Sequence, residues 1–367
     1  MAPFGAVHRA FLAHVFSLFV SHSEQSVRTP TADNCIQHAG VEKKMTLKPL
    51  GSLGLKVSPI MLGGNVFGWT IDQNQSFAVL DRFADRGFNF IDTADMYSTW
   101  VPAHQGGESE TILGNWFKQT GKRDKIVLAT KLGNPMGDGS KGLSAAYMKQ
   151  AVEASLTRLQ TDYIDLYQAH IDDKETSLHE TLRAFTDLVK EGKVRVIGAS
   201  NYGGDRLEEA ENISRREGFA RYATLQPHYN LHHREQYERE LAPVVAQFSL
   251  GVIPYFSLAS GFLTGKYKTA ADTEKAKRAA ALGKYFDERG IRILAALEDV
   301  SKQTGARQAS IALAWLLSRP NILAPIASAT TVDQLEDLFA AVDLKLTPQQ
   351  LKTLSEASAY VAESVSV

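Results

Sequence analysis

The sequence predicts a closed (β/α)8 barrel over residues 45–367, and three observations carry that reading. From Met45 onward, eight short apolar or β-branched runs alternate with amphipathic helical segments. The body of about 300 residues suits one barrel with added loops and helices. Nearly every apolar run ends in a polar residue that is chemically capable and costly to bury. The rival is an open doubly wound sheet, which usually carries Gly-x-Gly-x-x-Gly after its first strand. Gly63–Gly64–Asn65–Val66–Phe67–Gly68 lacks that spacing.

Along the chain, Met45 to Val57, with Gly51 and Gly54, reads as a hairpin. The eight predicted strands are Pro59–Leu62, Phe88–Ile91, Ile126–Thr130, Tyr163–Ala169, Val194–Ala199, Thr224–Gln226, Val252–Tyr255 and Leu323–Ile326. Predicted helices between them cover Ser76–Arg86, Glu108–Gln119, Ala145–Leu159, Leu178–Glu191, Gly204–Arg216 and Glu235–Phe248. Thr176 and Ser177 stand where a cap should precede a helix, with Glu180 three residues after Ser177. The last gap is long. It holds a basic loop (Lys266 to Arg289) and two further helices, Ile291–Gln303 and Gln308–Ser318.

Residues 1–44 read differently. The apolar stretch Phe11 to Val20 is about half a bilayer span and is interrupted by His14. No small-x-small cleavage site follows it cleanly. Arg9 and Arg28 are few, and Glu24, Asp33 and Glu42 too many, for a transit peptide. The segment is expected to be a disordered or non-native extension ahead of a single domain, with a secretory signal and a mitochondrial transit peptide as the alternatives, and a chain beginning at Met45 is expected to fold.

Composition narrows the function. Forty basic residues against 41 acidic ones leave a formal charge of −1, so no bulk field holds nucleic acid or anionic lipid. The single cysteine, Cys35, excludes an intramolecular disulfide framework, a cysteine-ligated zinc site and thiol catalysis in the body. No metal site, nucleic acid or membrane contact is expected. The composition fits a cytoplasmic, small-molecule protein whose oligomeric state stays open.

The strand-end residues carry the chemistry. Asp92, Lys131, His170, Ser200 with Asn201, Gln226, Tyr255 and Ser328 follow the second through eighth strands. A barrel gathers all of them on one rim. Neighbouring strands bring Asp92 and Lys131 into ion-pair range, and Tyr97 folds back over them. An ammonium beside a phenol favours the phenolate and lowers its pKa from about 10. Asp92 keeps Lys131 charged and fixed, and His170 can hydrogen-bond a carbonyl. These groups can protonate an oxygen as a carbon accepts hydride, but none supplies hydride, so a nicotinamide cofactor is required. Trp69, Trp100 and Tyr229, on loops after the first, second and sixth strands, are expected to wall the substrate pocket.

The chain from about Met45 to Ala341 resembles an aldo-keto reductase. The resemblance rests on Ile91-Asp92-Thr93-Ala94-Asp95-Met96-Tyr97, Ala129-Thr130-Lys131, Asp165-Leu166-Tyr167-Gln168-Ala169-His170 and Gly198-Ala199-Ser200-Asn201. It extends to Pro254-Tyr255-Phe256-Ser257-Leu258 and Gly261-Phe262-Leu263-Thr264-Gly265-Lys266-Tyr267. Glu108-Ser109-Glu110 after a glycine pair is similar to the branch of microbial and plant reductases that resemble potassium-channel β-subunits.

This resemblance implies that Tyr97 is the general acid, with its pKa lowered by Lys131, and that His170 orients a substrate carbonyl. It implies that Ser200, Asn201 and Gln226 bind the nicotinamide carboxamide and that Tyr255 stacks on the ring. Ser257, Leu258 and Lys266 would cover the pyrophosphate, and Ser328, Thr330, Thr331 and Gln334 would hold the adenosine end. In many relatives a Gly-Ala-Arg-like turn precedes Gln-Leu-x-x-Asn. Here Ala327-Ser328-Ala329-Thr330-Thr331 precedes Gln334-Leu335, with Leu338 in place of Asn. Thr330 lacks the guanidinium fork suited to a 2′-phosphate, while helix amides after Thr331, or Lys277, Arg278 and Lys284, could still meet one. The expected cofactor is NADPH, with NADH possible, and the substrate a small carbonyl compound or alcohol. Two alternatives stand beside this reading: a cofactor-sensing subunit of a channel or other assembly, and a Schiff-base aldolase using Lys131.

Overall fold

The protein is described by a computed structural model covering residues 45–52, 54–267, 269, 272 and 282–360. A unit boundary falls between Lys44 and Met45, and the described residues lie in the unit that starts at Met45. The first unit, and with it Cys35 and the N-terminal extension, lies outside the described residues. So do Lys277 and Arg278.

A hairpin of β1 (Lys48–Leu50) and β2 (Leu55–Val57) precedes the barrel. The parallel strands are β3 (Met61–Gly63), β4 (Phe90–Asp92), β5 (Val127–Leu132), β6 (Ile164–Ala169), β7 (Val194–Ser200), β8 (Tyr222–Gln226), β9 (Gly251–Val252) and β10 (Ile326–Ala327). They run in the spatial order β10-β3-β4-β5-β6-β7-β8-β9. The sheet closes through a parallel bridge of Val252 with Ile322, a hydrogen bond donated by Leu323 N to Val252 O (2.8 Å), and one donated by Ile326 N to Pro254 O (2.9 Å). The predicted seventh and eighth strands shorten to two residues each. Pro254 and Pro325 lie within them and have no N–H to donate to a ladder.

The interior is packed, not hollow. Met61, Phe90, Val127, Ala129, Leu166, Val196, Ile253 and Ile326 form one buried cluster, joined by Leu50 and Val57 of the hairpin. The hairpin seals the end where the strands begin. Ser58 N donates to Asn89 Oδ1 (2.8 Å), Asn89 Nδ2 to Lys56 O (2.8 Å), and Lys48 Nζ to Ile322 O (2.8 Å). Alternate strand residues face outward into a larger apolar shell beneath the helices.

Among the described residues, the first eight helices overlap the predicted segments, and the last two, after the eighth strand, have no segment predicted for them. In chain order the helices are α1 (Gln73–Asp85), α2 (Glu108–Thr120), α3 (Ala145–Leu159), α4 (Leu178–Lys190), α5 (Gly204–Glu217), α6 (Ala242–Phe248), α7 (Glu288–Thr304), α8 (Gln308–Leu317), α9 (Val332–Asp343) and α10 (Pro348–Ala357). Helix α1 starts three residues earlier than predicted, because Asp72 and Gln75 form a reciprocal capping box. Ser177 caps α4 by accepting from Glu180 N, but the Glu180 side chain accepts from Ala145 N at the start of α3 instead. The predicted Glu235–Phe248 helix contains a π-turn at Tyr237–Leu241 before α6. Pro243 cannot donate to the preceding turn, which accounts for that local widening.

One close approach yields a prediction. A Cβ on Gly114 of α2 would stand 2.1 Å from Arg158 O of α3. Gly114→Ala must push two helices apart and is expected to cost about 1–3 kcal/mol of stability. Urea unfolding measures it, and an unchanged midpoint would mean that the helices are not so tightly apposed.

Candidate active site

The register of the sheet assembles the rim. Gly63 lies beside Asp92, Lys131 beside Gln168, and Ser200 beside Gln226. Lys131 is 0% exposed and its Nζ donates to three acceptors. These are Asp92 Oδ2 at 2.8 Å, Thr93 O at 2.7 Å and Tyr97 Oη at 3.0 Å. Three acceptors match the three N–H bonds of an ammonium. Tyr97 Oη in turn donates to Asp92 Oδ2 at 3.3 Å. The phenol reaches back because the chain turns after β4. Asp95 N donates to Lys131 O, Tyr97 N to Ala94 O, and Gly107 N to Tyr97 O.

Electrostatics in this cluster modify the sequence expectation. Burial, and then the Asp92 carboxylate, push the Tyr97 phenol well above its usual range. The expected lowering by Lys131 is not met here, because desolvation of a phenolate outweighs a neighbouring ammonium already engaged with Asp92. Tyr97 is therefore a neutral phenol with a proton to give. Burial pulls Lys131 down, opposed by Asp92. Burial, and then Lys131, hold His170 well below the ordinary imidazole range. His170 is a neutral ring edge-on to Tyr97, with centroids 6.0 Å apart, and its Nδ1 is buried without a partner. The Schiff-base alternative would require Lys131 to lose a proton and to release one of these three contacts.

The expected cofactor residues lie beside this cluster. Ser200 Oγ donates to Gln226 O (2.9 Å), and Asn201 Nδ2 donates to His170 O (2.9 Å) and Ser200 Oγ (3.2 Å). Gln226 Nε2 donates to Asp92 Oδ1 at 3.1 Å. Tyr255 Oη donates to Asn201 Oδ1 (2.8 Å), and its ring stacks on His228 with centroids 5.3 Å apart. Ser257, buried, donates to Pro254 O (3.0 Å). Leu258 lies within a loop in which Phe256, Ala259 and Ser260 all have left-handed backbones (φ 52°, 48° and 58°), a conformation that L residues hold only under constraint. Lys266 is exposed, with its ammonium 4.6 Å from the centre of the Tyr267 ring.

At the last strand, Ser328 Oγ donates to Asn65 Oδ1 (2.6 Å). Thr331 caps α9 by accepting from Gln334 N (3.3 Å). Gln334 Oε1 accepts from Thr330 N (2.8 Å) and Thr330 Oγ1 (3.2 Å). Thr330, Thr331 and Gln334 thus share the exposed start of one helix. Leu338 is a core residue of that helix. Lys284 sits over the Tyr285 ring at 5.1 Å.

The three aromatic residues expected to wall the pocket separate. Trp100, 46% exposed, meets Trp69 edge-on at 5.7 Å and Tyr97 at 5.8 Å. Trp69 Nε1 is anchored by Asn65 O. Tyr229 does not join them. It is 1% exposed, packs on Tyr237 (4.4 Å) and Trp315 (5.8 Å), and donates to Glu238. Its neighbours are Tyr237, Trp315 and Glu238 and not the Trp69–Trp100–Tyr97 group, so the expectation that Tyr229 joins that wall is corrected.

Sequence reasoning missed two supports. His228 backs Tyr255 and is itself stacked on His233 at 3.9 Å. Burial, and then His233, pull its pKa down to about 3, so it stays neutral. Its position two residues beyond Gln226 was the available signal, since extended residues i and i+2 share a side. Glu110, fully buried, accepts from Thr130 Oγ1 (2.6 Å) and pairs with Arg158 (2.7 Å) beneath the loop that carries Tyr97.

Comparison with known proteins adds independent findings. A sequence model described as the aldo/keto reductase family matches residues 59–359. The chain is 38% identical over 315 residues to the uncharacterized oxidoreductase YrpG of Bacillus subtilis, covering 84% of this chain and 94% of that one. It is 32% identical to a probable voltage-gated potassium channel subunit beta of Arabidopsis thaliana, covering 85% and 96%. It is also 32% identical to versiconal hemiacetal acetate reductase of Aspergillus parasiticus, covering 86% and 97%.

Proposed function

The chain belongs to the aldo/keto reductase family, and on that premise we propose that it reduces aldehydes or ketones to alcohols with NADPH. The observation that carries this reading is the Asp92–Lys131–Tyr97 cluster, which holds a protonated phenol beside His170. The rim chemistry fits a nicotinamide nucleotide. Hydroxyl, carboxamide and phenol groups of Ser200, Asn201, Gln226 and Tyr255 converge there, and Gln226 Oε1 accepts from none of the described residues. A bound nicotinamide supplies the hydride. His170, neutral, donates a hydrogen bond to the substrate oxygen and fixes the carbonyl. Tyr97 delivers its proton to that oxygen as negative charge develops, and the Lys131 ammonium stabilises the phenolate left behind. Trp69 and Trp100 would give the substrate an aromatic wall beside the acid.

Ser257, Leu258 and Lys266 are proposed to cover the pyrophosphate, and Ser328, Thr330, Thr331 and Gln334 to hold the adenosine end. Dissociation constants for NADPH and NADH, measured side by side, test the cofactor choice. Tighter NADPH is expected with modest discrimination, because Thr330 carries no charge. Thr330→Arg should widen the preference, since a guanidinium can pair bidentately with a phosphate. Equal or tighter NADH binding by the unaltered protein would assign it to NAD(H).

The similarity to a channel subunit supports a second reading, a regulatory role in an assembly. Oxidation of NADPH with generic aldehydes separates the two, because steady turnover by the isolated chain needs no partner. No helix among the described residues is long and apolar enough to cross a membrane.

A further inference from the structure

The hydrogen bond between Gln226 and Asp92 joins two parts of the site that otherwise have separate tasks. Asp92 serves the acid, and Gln226 is assigned above to the nicotinamide carboxamide. Gln226 is nearly buried, its backbone carbonyl is held by Ser200 Oγ, and its amide meets Asp92 Oδ1 at 3.1 Å. The other Asp92 oxygen already accepts from Lys131 and Tyr97. A carboxylate has no proton to donate, so only the NH2 end of the Gln226 amide can face it. The Oε1 end is then turned the other way, and it accepts from none of the described residues.

We propose that Asp92 is a positioning residue for the cofactor as well as for the acid: it fixes the flip of the Gln226 amide, so that Oε1 is presented as an acceptor for the carboxamide N–H of nicotinamide. The proposal rests on the nicotinamide reading given above. Its physical content is a choice between two faces of one side chain. A neutral asparagine in place of Asp92 offers both a donor and an acceptor, so the Gln226 amide can turn over and present NH2 where an acceptor was needed. A carboxyl in place of the Gln226 amide meets Asp92 as a like charge, which raises its pKa. While protonated, it donates to Asp92 and leaves a C=O outward, reproducing the glutamine. Once ionised, it is repelled from Asp92 and loses that placement.

The test compares binding of NADP+ with its 3-acetylpyridine analogue, which keeps the carbonyl but replaces the NH2 with a methyl group. The unaltered protein is expected to favour NADP+ about tenfold, the scale of one well-made hydrogen bond in a desolvated site. Asp92→Asn should bind both and lose most of that preference. Gln226→Glu should keep the preference at acid pH and lose it as pH rises, whereas the unaltered protein keeps it throughout. A merely structural role for Asp92 would weaken both cofactors together and leave their ratio intact. If both variants keep the full preference at every pH, the positioning role is overturned. If the unaltered protein binds neither dinucleotide, the nicotinamide reading falls too. Should Asp92→Asn not fold, the pH dependence of Gln226→Glu decides alone.

Discussion

Tyr97→Phe is expected to lower the turnover of carbonyl reduction by about two to four orders of magnitude, the usual contribution of a positioned acid. Tyr97 is the group of the Asp92–Lys131–Tyr97 cluster proposed to give its proton to substrate, and Phe keeps the ring while deleting that proton. Cofactor binding should be nearly unchanged, since the residues assigned to nicotinamide are Ser200, Asn201, Gln226 and Tyr255. Fluorescence titration with NADPH and steady-state rates on one aldehyde are the two measurements required. Near-normal turnover would remove Tyr97 from the mechanism. The pH profile should carry the same signature. With the phenol held well above its usual range, reduction should stay flat through neutrality and fall only at alkaline pH, as the acid loses its proton. Alcohol oxidation, which needs the phenolate, should instead rise with pH. With His170 held well below the ordinary imidazole range, no inflection from it is expected near neutrality.

The barrel and the acid cluster were legible in the sequence because both follow from a repeating local pattern. A β-branched run that ends in a polar residue places that residue on the rim, whichever strand carries it. Asp92, Lys131, His170, Ser200 and Gln226 all obey this rule. What periodicity could not convey was the depth of burial along a loop. Trp69 and Tyr229 both sit a few residues past a strand, yet one borders Trp100 while the other is enclosed by Tyr237 and Trp315. That difference is set by helices distant in sequence. The sign of the Tyr97 shift was hidden for a related reason. Adjacent charge can be guessed from strand order, whereas the desolvation that overrides it depends on the whole surround. Strand lengths near Pro254 and Pro325, by contrast, were foreseeable, because a missing N–H can be read from the residue itself.

Lys131→Met should be the most damaging single change for both activity and stability. Met nearly conserves the shape of the aliphatic stem, so cavity formation contributes little. The loss is electrostatic. Asp92, 1% exposed, keeps hydrogen bonds from Gln226 and Tyr97 but loses its only ion-pair partner among the described residues. Removing one member of a buried ion pair typically costs about 3–5 kcal/mol, because the remaining charge is stranded. Turnover should fall at least as far as in Tyr97→Phe, since the phenolate formed on proton transfer would face Asp92 with no cation beside it. The two losses can be separated with a second substitution. Adding Asp92→Asn to Lys131→Met removes the stranded charge, so most of the unfolding free energy should return while turnover stays low. Urea unfolding and steady-state kinetics on the unaltered protein, the single variant and the double variant give the complete comparison. If the double variant regained activity together with stability, Lys131 would be a structural residue and the ammonium would have no part in the acid chemistry. If the single variant were as stable as the unaltered protein, the buried ion pair would not exist in solution as described.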